Sequence, residues 1–365
     1  MKPDENTGSC GCGGDDNICC GGPAPDVITY RPVRTAGEVD TLAGLIPVVA
    51  TSWSISDYVG MVAVRLNMNR MNYAVQPGLY AVGKPDSNSP IIVSANYKFS
   101  FDVLRRECAN LNVWILVIDS KGVNVWCAAG KGTFGTFEII NSIKLTGLGV
   151  VVLHRNIIVP QLGAPGVAAH DVAKGSGFKV IYGPVRASDL PAFINNGMKA
   201  DAQMRRVLFD LKDRLAVAWL EFAMALKTTL ILSVVFILAR VFIPSARTTA
   251  DLLLVSMWIA IITGTILTPA LLPFLPGRAF SVKGAALGLA ASLIPLNIFQ
   301  LGNLPSLALM LAMSAFSGFL ALNFTGASTY TSLSGVKLEM KYSIPTIIMA
   351  GGVSLVLAVV SVFVK

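Results

Sequence analysis

The sequence predicts two fold classes in one chain: an α/β domain with a mainly parallel sheet, then an all-α transmembrane bundle of five helices. Three observations lead there. The 365 residues are 53% hydrophobic and only 14% charged, with a mean hydropathy of +0.63. That is too apolar for an ordinary soluble enzyme, so part of the chain belongs in lipid. The apolar excess lies in the C-terminal part, whereas residues before about 200 mix charges, glycines and short apolar runs. From Pro90 onward those runs alternate with helical stretches, as strands and crossover helices do in a layered sheet.

Residues 1–40 read as a flexible Cys/Gly-rich tail, because the first 25 hold Gly, Asp and Cys with almost nothing to bury. The opening residues Met1 to Asn6 lack the cationic start and apolar core of a secretory signal. The α/β domain, residues 41–200, is therefore expected in the cytoplasm with its thiols reduced. Residues 51–69 and 73–84 mix apolar residues with turn formers and read as an entry region. Strands are expected at 91–93, 113–118, 150–153 and 179–181, and helices at 100–109, 134–145, 166–174 and 187–195. Ligands of such a sheet collect beyond the carboxyl ends of its strands. Cys127 follows one such end on the segment 119–131, and 161–166 follows another, so the two are expected to share a crevice.

Residues 201–225 read as an amphipathic helix. Met204, Val207, Leu208, Leu211, Leu215, Ala218 and Trp219 recur at helical spacing, with Arg205, Arg206, Lys212 and Arg214 elsewhere. It either joins the domain to the membrane surface or packs on the domain as a linker. The bundle occupies 226–365, with spans at 226–243, 252–272, 284–301, 305–324 and 344–364. Lys212, Arg214, Lys227, Arg278, Lys283, Lys337 and Lys341 fall on the side of the domain, whereas Arg247 and Lys365 fall opposite. That bias predicts a multi-pass protein of the inner, cytoplasmic membrane with the domain inside. Lys227 and Arg240 lie near span ends where they can snorkel, which disfavours an ion pump. Pro295 and Asn297 read as structural features of the third span. The formal charge of +8 does not indicate nucleic acid, since no Lys/Arg run is interleaved with aromatics.

The tract Asn124-Val125-Trp126-Cys127-Ala128-Ala129-Gly130-Lys131 carries the chemistry. As a helix it puts Asn124, Gly130 and Lys131 on the face of Cys127, with no bulky side chain beside the sulfur. A broad flat group fits such a face, although a lone cysteine is by default a small buried apolar residue. The tract resembles, contiguously from Trp126 to Lys131, the cap-helix signature of the corrinoid protein of the anaerobic mercury-methylation pair. The resemblance continues through Gly132-Thr133-Phe134, residues 161–167 and Tyr182-Gly183-Pro184-Val185, and covers most of 94–196.

This resemblance implies an α/β Rossmann-like corrinoid-binding domain holding cobalamin or a related corrinoid, with the Cys127 sulfur as axial ligand to cobalt. It also implies the five-span tail. The implied activity is methyl transfer from the corrinoid to inorganic Hg(II), giving methylmercury. The implied partners are a small ferredoxin-like iron-sulfur protein as electron donor and a methyl donor from the folate pathway. A soft anionic thiolate suits that task because it donates electron density to the metal as the methyl leaves. The cofactor-binding set would comprise Asn124, Val125, Trp126, Cys127, Ala128, Ala129, Gly130, Lys131, Gly132 and Thr133, with Gly163, Ala164, Pro165 and Gly166. Within it, Asn124 bonds the ring periphery or caps the helix. Lys131 favours the thiolate or is a solvated lysine. Thr133 and residues 163–166 would hold the nucleotide tail, glycine permitting close approach. His154 and His170 lack the Asp-x-His-x-x-Gly arrangement of another corrinoid class and read as structural or exposed.

Cys10, Cys12, Cys19 and Cys20 fit neither common ferredoxin spacing. They suit two-coordinate capture of Hg(II), or belong to a dispensable tail. Cys108 reads as buried filler. Two alternatives stand beside the mercury reading. One is a corrinoid methyl carrier of the acetyl-CoA pathway type, whose iron-sulfur subunit has a related cobalamin domain but is soluble and needs cluster cysteines. The other is a heavy-metal transporter, which would want ligands in its spans, whereas all six cysteines precede them.

Overall fold

The computed structural model describes residues 28–327 and 333–364. Cys10, Cys12, Cys19 and Cys20 lie outside them. The chain separates into two compact units, the first comprising the described residues up to Val64 and Met68–Val207, the second Arg65–Asn67 and the described residues from Leu208 on.

The first unit is built on a seven-stranded mixed sheet in the order β1-β2-β3-β5-β4-β6-β7. Its strands are β1 Thr35–Thr41, β2 Gly44–Val49, β3 Gly78–Val82, β4 Ile91–Ala95, β5 Val113–Ile118, β6 Asn156–Val159 and β7 Lys179–Tyr182. Helix α1 (Ile55–Arg65) follows β2, and α2 (Lys98–Glu107) follows β4. Between β5 and β6 lie α3 (Val125–Lys131), α4 (Thr136–Leu145) and α5 (Leu148–Val151). A 3-10 turn, Gln161–Gly166, leads to α6 (Ala169–Ser176), and α7 (Leu190–Asn195) follows β7.

Strands β5, β4, β6 and β7 run parallel. β2 joins β3 parallel, β3 joins β5 antiparallel, and β1 and β2 form an antiparallel hairpin. Four of the six pairings among the described residues are parallel, so the sheet is mixed and mainly parallel as expected, and the four strands on the side of the site are parallel to one another. β5 shows why a continuous apolar run becomes a central strand. Trp114, Leu116 and Ile118 enter one core with Phe134, Ile139 and Phe178. Val113, Ile115 and Val117 enter a second with Phe101 and Phe193. Helices cover both faces, so neither alternate set can be polar. Each such aliphatic contributes about 1.5–3 kcal/mol by burial.

Several expectations are corrected here. Residues 35–40 are not tail but part of β1, which pairs with β2. Their sequence is polar and their side chains mostly exposed, so this edge strand carries no hydrophobic signal. The entry region resolves into α1 and β3. Residues 150–153 are not a strand. Leu148 and Val151 are buried while Val150 and Leu153 are exposed, a spacing of three that belongs to a helical turn. An apolar run alone does not distinguish the two periods. The strand falls at β6 instead.

Among the described residues, one ionic cluster fastens α1 to α2. Lys98 Nζ donates to Asp57 Oδ1 at 2.7 Å and Asp102 Oδ2 at 2.6 Å. Arg105 Nε donates to Asp102 Oδ1 at 2.9 Å and Nη2 to Asp57 Oδ2 at 2.8 Å. Arg105 Nη1 also donates to the carbonyls of Ala50 and Ser52. All four side chains are buried. Burial works to raise the Asp57 pKa, but hydrogen bonds from Lys98 and Ser54 outweigh it and hold the carboxyl well below the usual range.

The second unit contains five helices long and apolar enough to cross a membrane: Leu211–Phe242, Pro244–Leu271, Phe280–Phe299, Asn303–Asn323 and Gly335–Phe363. Residues 201–210 are not helical. The Asp210 carboxylate accepts the Asp213 N–H at 3.1 Å and starts one continuous helix, α8 (Leu211–Phe242). The expected linker helix and first span are therefore a single element, because no breaker separates them. Small residues set the packing. A Cβ on Gly284 would lie 2.6 Å from the Ser317 carbonyl oxygen, so only glycine lets these backbones meet. The last helix begins well before residue 344 and takes in Glu339, which accepts the Ser281 N–H at 2.8 Å and hydroxyl at 2.9 Å. Asn297 donates to the Leu293 carbonyl of its own helix at 2.7 Å.

Candidate functional site

The stretches that carry the resemblance meet at the carboxyl ends of the parallel strands. The loop leaving β5 is organised by Asn96, a fully buried side chain directly after β4. Its Oδ1 accepts from Ser120 N at 3.1 Å, Ser120 Oγ at 2.8 Å and Gly122 N at 2.9 Å. Its Nδ2 donates to Asp119 Oδ1 at 3.2 Å. Four bonds from one amide leave the loop a single path into α3. Beside it Lys121 lies 2.6 Å from Asp119 Oδ2, a hydrogen-bonded pairing that raises the lysine pKa.

Asn124 is the N-cap of α3. Its Oδ1 accepts the backbone N–H of Cys127 at 3.0 Å, one of the donors a helix start leaves over. The cap therefore fixes the residue that bears the sulfur. Ala128 and Ala129 form the buried face of α3, packing with Phe134, while Cys127 packs half-buried at the edge of that core. Trp126, Gly130, Lys131 and Gly132 are exposed. Gly132 ends the helix at φ 80°, where glycine is the natural residue. Cys127 is thus half-buried at the edge of the core, with the exposed Gly130 and Lys131 one turn further along the helix.

The 3-10 turn presses on α3. A Cβ at Gly166 would lie 2.4 Å from the Phe134 carbonyl oxygen and 3.1 Å from Ala129 Cα. The glycine expected to admit a nucleotide tail therefore already serves a close approach between two protein backbones. Thr133 is likewise engaged, its hydroxyl donating to the Ser120 carbonyl at 3.3 Å. Ala164 is half-buried and Pro165 exposed at the outer side of the turn. Tyr182 ties the end of β7 to this region, donating to the Val167 carbonyl at 2.7 Å.

Sequence reasoning missed Asn96, Ser120 and Gln161. Asn96 was findable, as a polar residue placed immediately after a buried apolar run. Gln161 was not, because its interest is that Oε1 is buried without a hydrogen-bond partner. A shallow, open recess lies at the start of α3, lined by Arg70, Met71, Tyr97, Gly122, Val123 and Asn124. It is far smaller than the cavities that enclose small molecules, so this recess does not enclose a large ring. No group of three or more His, Cys, Asp or Glu suited to a metal ion occurs among the described residues. A lone thiolate suits a metal whose other ligands come with a macrocycle. The donor set, the small-residue face and the orphaned Gln161 oxygen fit a corrinoid with amide side chains.

The remaining candidates are either bonded within the fold, buried or exposed. His154 accepts the Asn156 N–H on Nδ1 at 3.2 Å, and its Nε2 lies 2.9 Å from the Ser89 carbonyl oxygen. His170 is exposed. Cys108 is fully buried, and burial pushes its pKa up to about 12, which makes a poor thiolate.

Residues 56–194 match the family described as CO dehydrogenase/acetyl-CoA synthase delta subunit. Among curated relatives, the gamma subunit of the acetyl-CoA decarbonylase/synthase complex of Methanopyrus kandleri is 33% identical over 122 residues, 33% of this chain and 26% of the relative. The corresponding subunit of Methanocaldococcus jannaschii is 33% identical over 129 residues, 35% and 26% of the two chains. That of Archaeoglobus fulgidus is 24% identical over 148 residues, 39% and 31%. The chain thus spans about a quarter to a third of the length of the curated relatives it matches. The family match ends before the apolar helices begin.

Proposed function

We propose that this chain is a membrane-held, corrinoid-dependent methyl carrier of the methyltransferase class, with Cys127 as the protein ligand to cobalt. The observation that carries it is the placement of Cys127. It is half-buried on a capped helix, beside small residues, at the carboxyl end of a parallel sheet and inside the segment matched by the acetyl-CoA synthase family. The parallel half of the first unit is read as Rossmann-like, with residues 41–200 as the corrinoid-binding domain. Asn124, Val125, Trp126, Ala128, Ala129, Gly130, Lys131, Gly132 and Thr133 would present α3 to the ring. Gly163, Ala164, Pro165 and Gly166 would back it.

When bound, the corrinoid supplies a cobalt centre that accepts and gives up a methyl group. The chain's own residues do the positioning. Asn124 holds the Cys127 backbone through the cap, and Asn96 holds the loop that delivers it. Lys131 lies one turn after Cys127 on α3 and is exposed. The relatives' names support the acetyl-CoA type of carrier, the reading ranked second on sequence, over a mercury-specific one.

Hg(II) as methyl acceptor remains a second reading. It is favoured by the contiguous tract from Trp126 to Lys131 and by five apolar helices outside the matched segment. In either reading an iron-sulfur electron donor and a folate-side methyl donor are the proposed partners, and the domain faces the cytoplasm. The four tail cysteines would serve Hg(II) capture only in the second.

Purified full-length chain reconstituted with cobalamin provides the test. Cys127→Ala should lose the cobalt–sulfur absorption and methyl transfer together, and retention of both would end the assignment. Methylmercury formed on adding Hg(II) to methyl-loaded chain would select the second reading, and its absence the first.

A further inference from the structure

Helix α1 carries apolar side chains on both sides of its axis. It buries Asp57, 6% exposed, together with Val64, which packs on Tyr73 and Tyr97, and it turns Ile55, Tyr58, Val59 and Val62 outward, with Ile55 84% and Val59 62% exposed. Those four positions form one continuous strip at i, i+3, i+4 and i+7. The inner face is locked, because Asp57 is bonded to both Lys98 and Arg105. The helix cannot roll to hide its apolar side without stranding two buried cations. An apolar strip held outward by an ionic lock marks an interaction surface.

The chemistry selects a lipid surface. The strip is one convex helix face, unlike the concave sites that take small molecules. Between residues 51 and 70 the one acidic residue is the buried Asp57, and Arg65 and Arg70 make the segment net positive. It therefore presents anionic headgroups with no exposed carboxylate. Tyr58 meets Trp53 edge-on, ring centroids 5.1 Å apart, and such residues favour the headgroup level. The α/β unit ends at Val207, and the first membrane-length helix begins at Leu211. A bilayer surface thus stays within reach at high effective concentration.

We propose that α1 is an interfacial docking helix, seating the strip Ile55-Tyr58-Val59-Val62 at the headgroup–acyl boundary of an anionic bilayer. This rests on reading the apolar helices as membrane spans.

The test uses the full chain, with Val59→Cys labelled by an environment-sensitive fluorophore and Cys127 and the tail cysteines changed to Ser. It is reconstituted in nanodiscs of zwitterionic and anionic phospholipid. Entry into nanodiscs reports the spans, and quenching by lipids bearing a shallow nitroxide reports α1. The expected result is a blue-shifted emission that these lipids quench and that weakens when the anionic lipid is removed. A probe at Asn88→Cys, on an exposed loop, should show neither effect. Adding Ile55→Glu and Val62→Glu to the Val59→Cys chain should abolish quenching. An unquenched Val59 probe in chain that has entered nanodiscs overturns the docking proposal, whether the probe is solvated or packed against protein. Chain that does not enter nanodiscs overturns the span reading, and the docking proposal with it.

Discussion

Two short helices of the α/β unit, α1 and α3, are held inward by different means. α3 buries alanines and leaves outward a tryptophan, a half-buried thiol, a glycine and a lysine. α1 buries an aspartate and a valine and leaves outward aliphatics and a tyrosine. Apolar contact alone seats the first, whereas an ionic lock beside Val64 seats the second. A helix with apolar residues on two sides is therefore oriented by the side that also holds a directional partner.

The sharpest way to break that comparison is Arg105→Met. It leaves Asp57 and Asp102 short of a cation, and removing one partner of a buried ionic cluster costs about 3–5 kcal/mol. Urea unfolding of the full chain in detergent should show this loss, with α1 released first in hydrogen exchange. Acid acts on the same cluster. The Asp57 carboxyl is depressed in the folded state, so its contribution is present above the ordinary carboxylate pKa and is lost as pH falls further. Asp102, raised by burial, works in the opposite direction. The stability difference between the native chain and Asp57→Asn should therefore shrink as pH drops below about 4.

Gly166→Val tests the other helix. Its Cβ would meet the Phe134 carbonyl and the Ala129 backbone, so we expect a cost of about 1–3 kcal/mol by overpacking and weaker corrinoid retention on gel filtration. Asn124→Ala removes the cap and should cost about 0.5–2 kcal/mol, with Asn124→Ser recovering most of it in thermal unfolding. Val59→Glu touches only the outward strip of α1 and should move stability in detergent by less than about 0.5 kcal/mol. A larger loss would mean that the strip is packed within the chain.

Much of the architecture was legible. The runs at 91–93, 113–118 and 179–181 lie within β4, β5 and β7, and the five apolar stretches fall on five membrane-length helices. The hairpin β1–β2 was not, because a polar edge strand has no burial to record. The Asp57–Lys98–Asp102–Arg105 cluster was not, because Asp57 and Lys98 stand 41 positions apart and nothing local pairs them. At the site, the Asn124 cap was readable from residue type, whereas the packing of Gly166 on Ala129 needed the meeting of two crossovers.

The chain's own pattern settled what is short-range: which stretches are apolar, with what period, where a helix can start, and that a cysteine sits among small residues after a buried strand. Tertiary structure decided which face each helix presents and which distant charge answers which. Periodicity is a property of neighbours along the chain, whereas burial and ionic pairing depend on segments that only folding brings together.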